Sequence, residues 1–179
     1  MKRIVLLVIV GLISVLATAT AGATSNQPLP RPPAWGDFGN TTLPDCVYAA
    51  DANLLEFNFP RIRLSESQVV QAFQANGEDD GLLYMETTGF DGIKAASVIP
   101  LGASTTGLQL AMAQGGVQAW IHFPREPDVH AVAVIKVTTN RVEFVSWGYT
   151  YWWSMKEYHQ RVVQQYAFTW NSAMTSGSQ

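Results

Sequence analysis

The stretch HAVAVIKVTTNRVEFVSWG, residues 130–148, decides the fold. Two runs rich in β-branched and aromatic residues, 131–137 and 141–147, flank Thr138-Thr139-Asn140, so the stretch reads as two antiparallel strands joined by a tight hairpin. His130 heads the first of them, after a loop broken by Pro124 and Pro127. Upstream, residues 117–123 form a further strand pattern. Downstream, residues 154–166 read as a final helix before a strand running through Trp170, and the small polar residues 171–179 as a frayed, disordered tail.

Further towards the N-terminus the pattern becomes helical. Val47, Ala50, Leu54 and Phe57 recur at three- and four-residue steps and predict a helix over 46–57, with Asp45 as N-cap and Pro44 leading in. Ser65-Glu66-Ser67-Gln68 is a capping-box pattern that opens a second helix carrying Val69, Val70 and Phe73, closed by Asn76-Gly77. Residues 78–107 are rich in Gly, Thr and Asp and weakly periodic, apart from a short helix around 81–87. Residues 108–113 read as another helix, ending at Gly115-Gly116. Helices first and an antiparallel sheet afterwards make an α+β domain.

The chain ahead of this domain reads as an export signal. Lys2 and Arg3 precede an uncharged apolar run, 4–17, and Ala21-Gly22-Ala23 has the form of a cleavage site, which places the signal peptide at 1–23. An uncleaved anchor is the competing reading, because residues 4–23 match the ~20 residues of a membrane span when the Thr, Ala and Gly are counted. Either way the protein is expected to be secreted, periplasmic or held at the cell envelope, touching the membrane only if the segment stays uncleaved. Pro28, Pro30, Pro32 and Pro33 make residues 24–34 an extended linker, and the folded domain is expected over 35–170. Removing residues 1–23, which hold Lys2 and Arg3 and no acid, takes the formal charge from -3 to -5. No basic patch fit for nucleic acid remains.

Cys46 is the single cysteine, so no disulfide forms within the chain. Its thiol either pairs with another molecule, packs inertly in the core, or stays reactive. A cysteine in the first turn of a helix ionises readily, because unpaired N–H groups and the helix dipole favour the negative sulfur. Cysteine is also among the most buried residue types, so position alone leaves the structural reading open. A nucleophilic cysteine needs a base, and the chain offers His122, His130 and His159. His122 lies inside a strand and His159 on a polar helix, where surface or packing roles are ordinary. His130 stands at a strand's start beside a broken loop and is the candidate base.

At this point the chain resembles a family. GNTTLPDCVYAADANLL, residues 39–55, followed by residues 130–148, is similar to the papain-like cysteine peptidases, especially the bacterial C39-like branch. The resemblance implies a helical lobe with the cysteine at a helix N-terminus, packed against an antiparallel sheet whose strand begins with the histidine. It implies Cys46 as nucleophile, His130 as general base and later acid, and Asn40 as the amide that helps bind the oxyanion, where the family usually has Gln. Asn donates the same bond but is one methylene shorter. Read without the family, Gly39-Asn40 is a turn.

The family orients its histidine with an Asn or Asp. Matching the Ser-Trp-Gly motif puts Val145 there, while counting along the chain from His130 points to Ser146. Valine offers no hydrogen bond and serine only a neutral one. Trp147 would shield the pair from water, and Tyr149, Tyr151, Trp152 and Trp153 either line a groove or pack the sheet. Glu78, Asp79 and Asp80 lack the alternating ligands of a calcium loop and read as a solvated turn. No cofactor or metal is expected. The function implied is hydrolysis of a peptide or cell-envelope amide by acyl transfer through Cys46. The alternatives are a binding protein that keeps the fold with weak or no turnover, and a structural domain in which Cys46 is packed.

Overall fold

The structure, a computed structural model, describes residues 29–30, 45–77, 80–146 and 148–170. The predicted signal peptide, residues 1–23, lies outside them. Among the described residues no helix is long and apolar enough to cross a membrane. The elements are β1 (Leu29–Pro30), α1 (Cys46–Asn58), α2 (Glu66–Asn76), α3 (Gly81–Thr87), β2 (Ala95–Pro100), α4 (Thr105–Gln114), β3 (Val117–His122), β4 (Val129–Val137), β5 (Arg141–Ser146), β6 (Tyr149–Ser154), α5 (Met155–Arg161) and β7 (Val162–Trp170).

The protein is α+β. All the strands join one antiparallel sheet in the order β1-β6-β5-β4-β3-β7-β2. Six of them are six or nine residues long, and β1 adds a two-residue edge. That edge comes from the Pro-rich segment expected as linker: Leu29 pairs with Thr150 and Pro30 with Tyr149. An edge is where a strand tolerates proline.

Alternation along the strands sorts the core into two clusters. Ala131 and Ala133 of β4, with Trp120 of β3, pack with residues of α1, α2 and α3 on one face. Val132 and Val134, with Ala119, Ile121, Val142 and Phe144, pack with α4 and α5 on the other. Helix α1 lies chiefly across β4. Small residues let it approach closely: a Cβ on Gly116, at φ 110°, would stand 2.5 Å from Leu54 Cδ1.

Several expectations need correction. Asp45 sits at the N-cap position of α1, but its side chain makes no capping bond, and one carboxyl oxygen is buried without a hydrogen-bond partner. Its ψ of 14° departs from the extended conformation that folds a side chain back over the first turn. Residues on every side of α1 are buried, Asp51, Asn53 and Glu56 among them, in place of one apolar stripe. Helix α4 starts earlier than expected, at Thr105, with Ser104 Oγ accepting from the Gly107 N–H at 2.9 Å. Strand β2 was hidden in the weakly periodic segment, because Ala95-Ala96-Ser97 carries no strand signal. The aromatic cluster 149–153 is strand β6, and the helix expected over 154–166 ends at Arg161. Val162 and Val163 then open β7, where pairing with both β3 and β2 overrides the helical pattern. The capping box of α2 holds: Gln68 Oε1 accepts from the Ser65 N–H at 2.8 Å.

Candidate active site

Cys46 is the first residue of α1, half-buried, and packs against the core cluster on the α1 side of the sheet. His130 is the second residue of β4 and pairs with Ile121 of β3. Its neighbour Ala131 turns towards α1, so the imidazole is rooted on the opposite face. There it lies edge-on to Phe123, ring centres 5.8 Å apart. Ser146, the last residue of β5, shares that face with Phe144, and its Oγ is 2.6 Å from His130 Nε2. Val145 alternates to the other face, where it pairs with Ala133. Of the two positions offered by the sequence, the structure therefore brings Ser146 to the imidazole and not Val145.

Cys46 and the His130 imidazole thus stand on opposite faces of the sheet, His130 close to the start of β4. Burial pushes the imidazole's pKa down to about 4. The ring is therefore neutral at pH 7, which is the form that accepts a proton. Asp45, next to the cysteine, is 1 % exposed. Burial raises its pKa, its own backbone bond opposes this, and Glu66 adds a smaller push upwards.

A polar network beneath α1 joins the helix to β3. Gln118 of β3 is fully buried; its Nε2 donates to Asp51 Oδ1 at 2.7 Å and to the Val47 carbonyl at 3.2 Å. Trp120 Nε1 donates to Gln118 Oε1 at 2.8 Å. Asp51 is completely buried, its second oxygen has no hydrogen-bond partner, and burial raises its pKa well above the usual carboxylate range. The Asp51 carboxyl and the Gln118 carboxamide thus tie the first two turns of α1 to the strand beside β4. The available signal was Asp51, set among Ala, Leu and aromatic residues of the helix; its partner Gln118, 67 residues away, carried none.

The remaining candidates separate. Asn40 and Trp147 lie outside the described residues, as do Glu78 and Asp79. His122 is exposed at the end of β3, and His159 Nε2 is 3.4 Å from Thr105 Oγ1 on the other side of the domain's sheet from α1. Among the described residues no three His, Cys, Asp or Glu side chains stand together as metal ligands. Of the aromatic cluster, Tyr149 is exposed and Trp153 is core, while Tyr151 and Trp153 also wall an open cavity of about 330 Å³ with Phe123, Pro124 and Arg125.

Compared with protein-family models, with curated proteins and with solved structures, the chain gives no match.

Proposed function

We propose that the protein is an exported papain-like cysteine hydrolase of C39-like type that cleaves a peptide or cell-envelope amide bond. The observation that carries the proposal is the pairing of His130 with Ser146 at the start of β4, the strand across which the Cys46 helix lies. A helix-opening thiol, a neutral imidazole and a partner on the imidazole's far nitrogen are the parts that acyl transfer through sulfur needs.

The steps follow from those parts. When His130 Nε2 donates to Ser146 Oγ, the Nδ1 lone pair is the one that takes the thiol proton. Sulfur attacks the amide carbon, the imidazolium gives its proton to the departing nitrogen, and the C–N bond breaks to leave an amine and a thioester. Water then attacks the thioester, its proton passes through His130 to the leaving sulfur, and the acid is released. The backbone N–H of Cys46, with Asn40, is assigned to the oxyanion.

The hydroxyl of Ser146 favours a second reading. A neutral partner that can either donate or accept holds the imidazole tautomer weakly, which suits a binding protein that keeps the fold with little turnover. Hydrolysis of a peptide and stem-peptide library by the protein and by Cys46→Ala separates the two. The hydrolase reading expects product from the first and none from the second; equal release, or none from either, overturns it.

A further inference from the structure

In acyl transfer the nucleophile holds the acyl half of the substrate, while the general acid stands beside the departing nitrogen. The structure places the two groups on different sides of the sheet: Cys46 packs with the α1 cluster, whereas the His130 ring is rooted on the far face against Phe123. What lies beyond His130 on that face is therefore positioned for the leaving group. Phe123 is the shared wall, since the same ring that meets His130 also meets Tyr151 and Trp153, at 5.3 and 5.5 Å between centres. These three rings, with Pro124 and Arg125, line the open cavity of about 330 Å³. Arg125 is exposed, and its backbone takes φ 72° in the loop that follows β3.

We propose that this cavity binds the leaving-group residue of the substrate, an amino acid with an apolar or aromatic side chain and a free carboxylate. The rings supply the apolar contact, and the guanidinium at the rim matches a carboxylate with two parallel hydrogen bonds. A volume of this size suits one amino-acid residue and not an extended chain. Glu126 and Asp128 share the loop but do not line the cavity; the other guanidinium close to these rings, that of Arg161 over Trp153 at 5.3 Å, is paired with Glu157, which leaves Arg125 as the cation among the lining residues. The assignment rests on the hydrolase reading for its place in the reaction, and on the cavity's own residues for its ligand chemistry.

The test uses the full chain carrying Cys46→Ala, with N-acetylglycyl-phenylalanine and its C-terminal amide as probes, and follows the Trp153 indole N–H resonance. The acid is expected to bind at least about tenfold more tightly than the amide, and Arg125→Gln to abolish that difference while the amide binds as before. Equal binding of the two probes, an unmoved Trp153 resonance, or a preference that survives Arg125→Gln overturns the assignment. The two proposals fail separately. Selective binding by a protein that cleaves neither probe's parent peptide sinks the hydrolase and leaves the cavity; cleavage that treats acid and amide alike does the reverse.

Discussion

Ser146 can donate to His130 Nε2 or accept from it, whereas the oxygen of a carboxamide or carboxylate only accepts. A single neutral hydrogen bond of this kind contributes about 1 kcal/mol, so Ser146→Ala is expected to lower kcat/KM by less than about tenfold. Ser146→Asp puts a negative charge beside the imidazole and is expected to lift its titration well above about 4; an unchanged midpoint in a histidine NMR titration would contradict the contact. The same titration probes the cysteine. A thiolate stabilises the imidazolium as much as the imidazolium stabilises the thiolate, so His130 should titrate higher in the wild type than in Cys46→Ala. At this scale the spacing that brings Ser146 to His130 was legible, because residue type and distance along one hairpin are local. The burial that makes the imidazole neutral was not, since Phe123 and the sheet face around it come from other strands.

Helix α1 is held on the sheet by apolar contact and by the Gln118 amide. Gln118→Ala removes the hydrogen-bond partner of the buried Asp51 and of the half-buried Trp120, which costs about 1–3 kcal/mol of stability in urea unfolding. Asp51→Asn keeps an oxygen for Gln118 and removes an ionisable group. It is expected to fold with the same secondary structure and, above pH 5, to unfold at higher urea than the wild type. A lower midpoint at pH 7 would mean that the carboxyl is ionised and paired in the folded state. The helices α1 to α3 and the β4–β5 hairpin were readable from periodicity, caps and turn residues. Strands β2 and β6 were not: Ala95–Pro100 has little strand character, and an aromatic run such as Tyr149–Ser154 serves a groove or a sheet equally well until register decides. The end of α5 at Arg161 likewise depends on the two strands waiting for β7.

For the whole molecule, two buried groups bend the pH profile of stability in opposite directions. His130 titrates near 4 when folded and near 6.5 when unfolded, so its contribution is fully present above pH 6.5 and is lost as pH falls towards 4, about 3 kcal/mol in all. Asp51 has the opposite sign: its folded pKa is raised, so stability is lost as pH rises above the unfolded carboxylate value. The wild type should therefore show a shallow profile between pH 4 and 6.5, and Asp51→Asn a steeper one that falls on acidification. Urea midpoints across that window test this, and parallel profiles for the two proteins would contradict it. The central claim also belongs to this scale, because it joins residues from the two ends of the fold. Cys46 opens the helical half and His130 begins the strand it lies across, and they are proposed to act as one pair. The most direct measurement is the rate of Cys46 alkylation against pH in the wild type and in His130→Ala. The account predicts faster alkylation at pH 7 in the wild type than in His130→Ala, because the neutral imidazole takes the thiol proton there. A thiol that reacts only above its ordinary pKa of ~8.5, alike in both proteins, would contradict it.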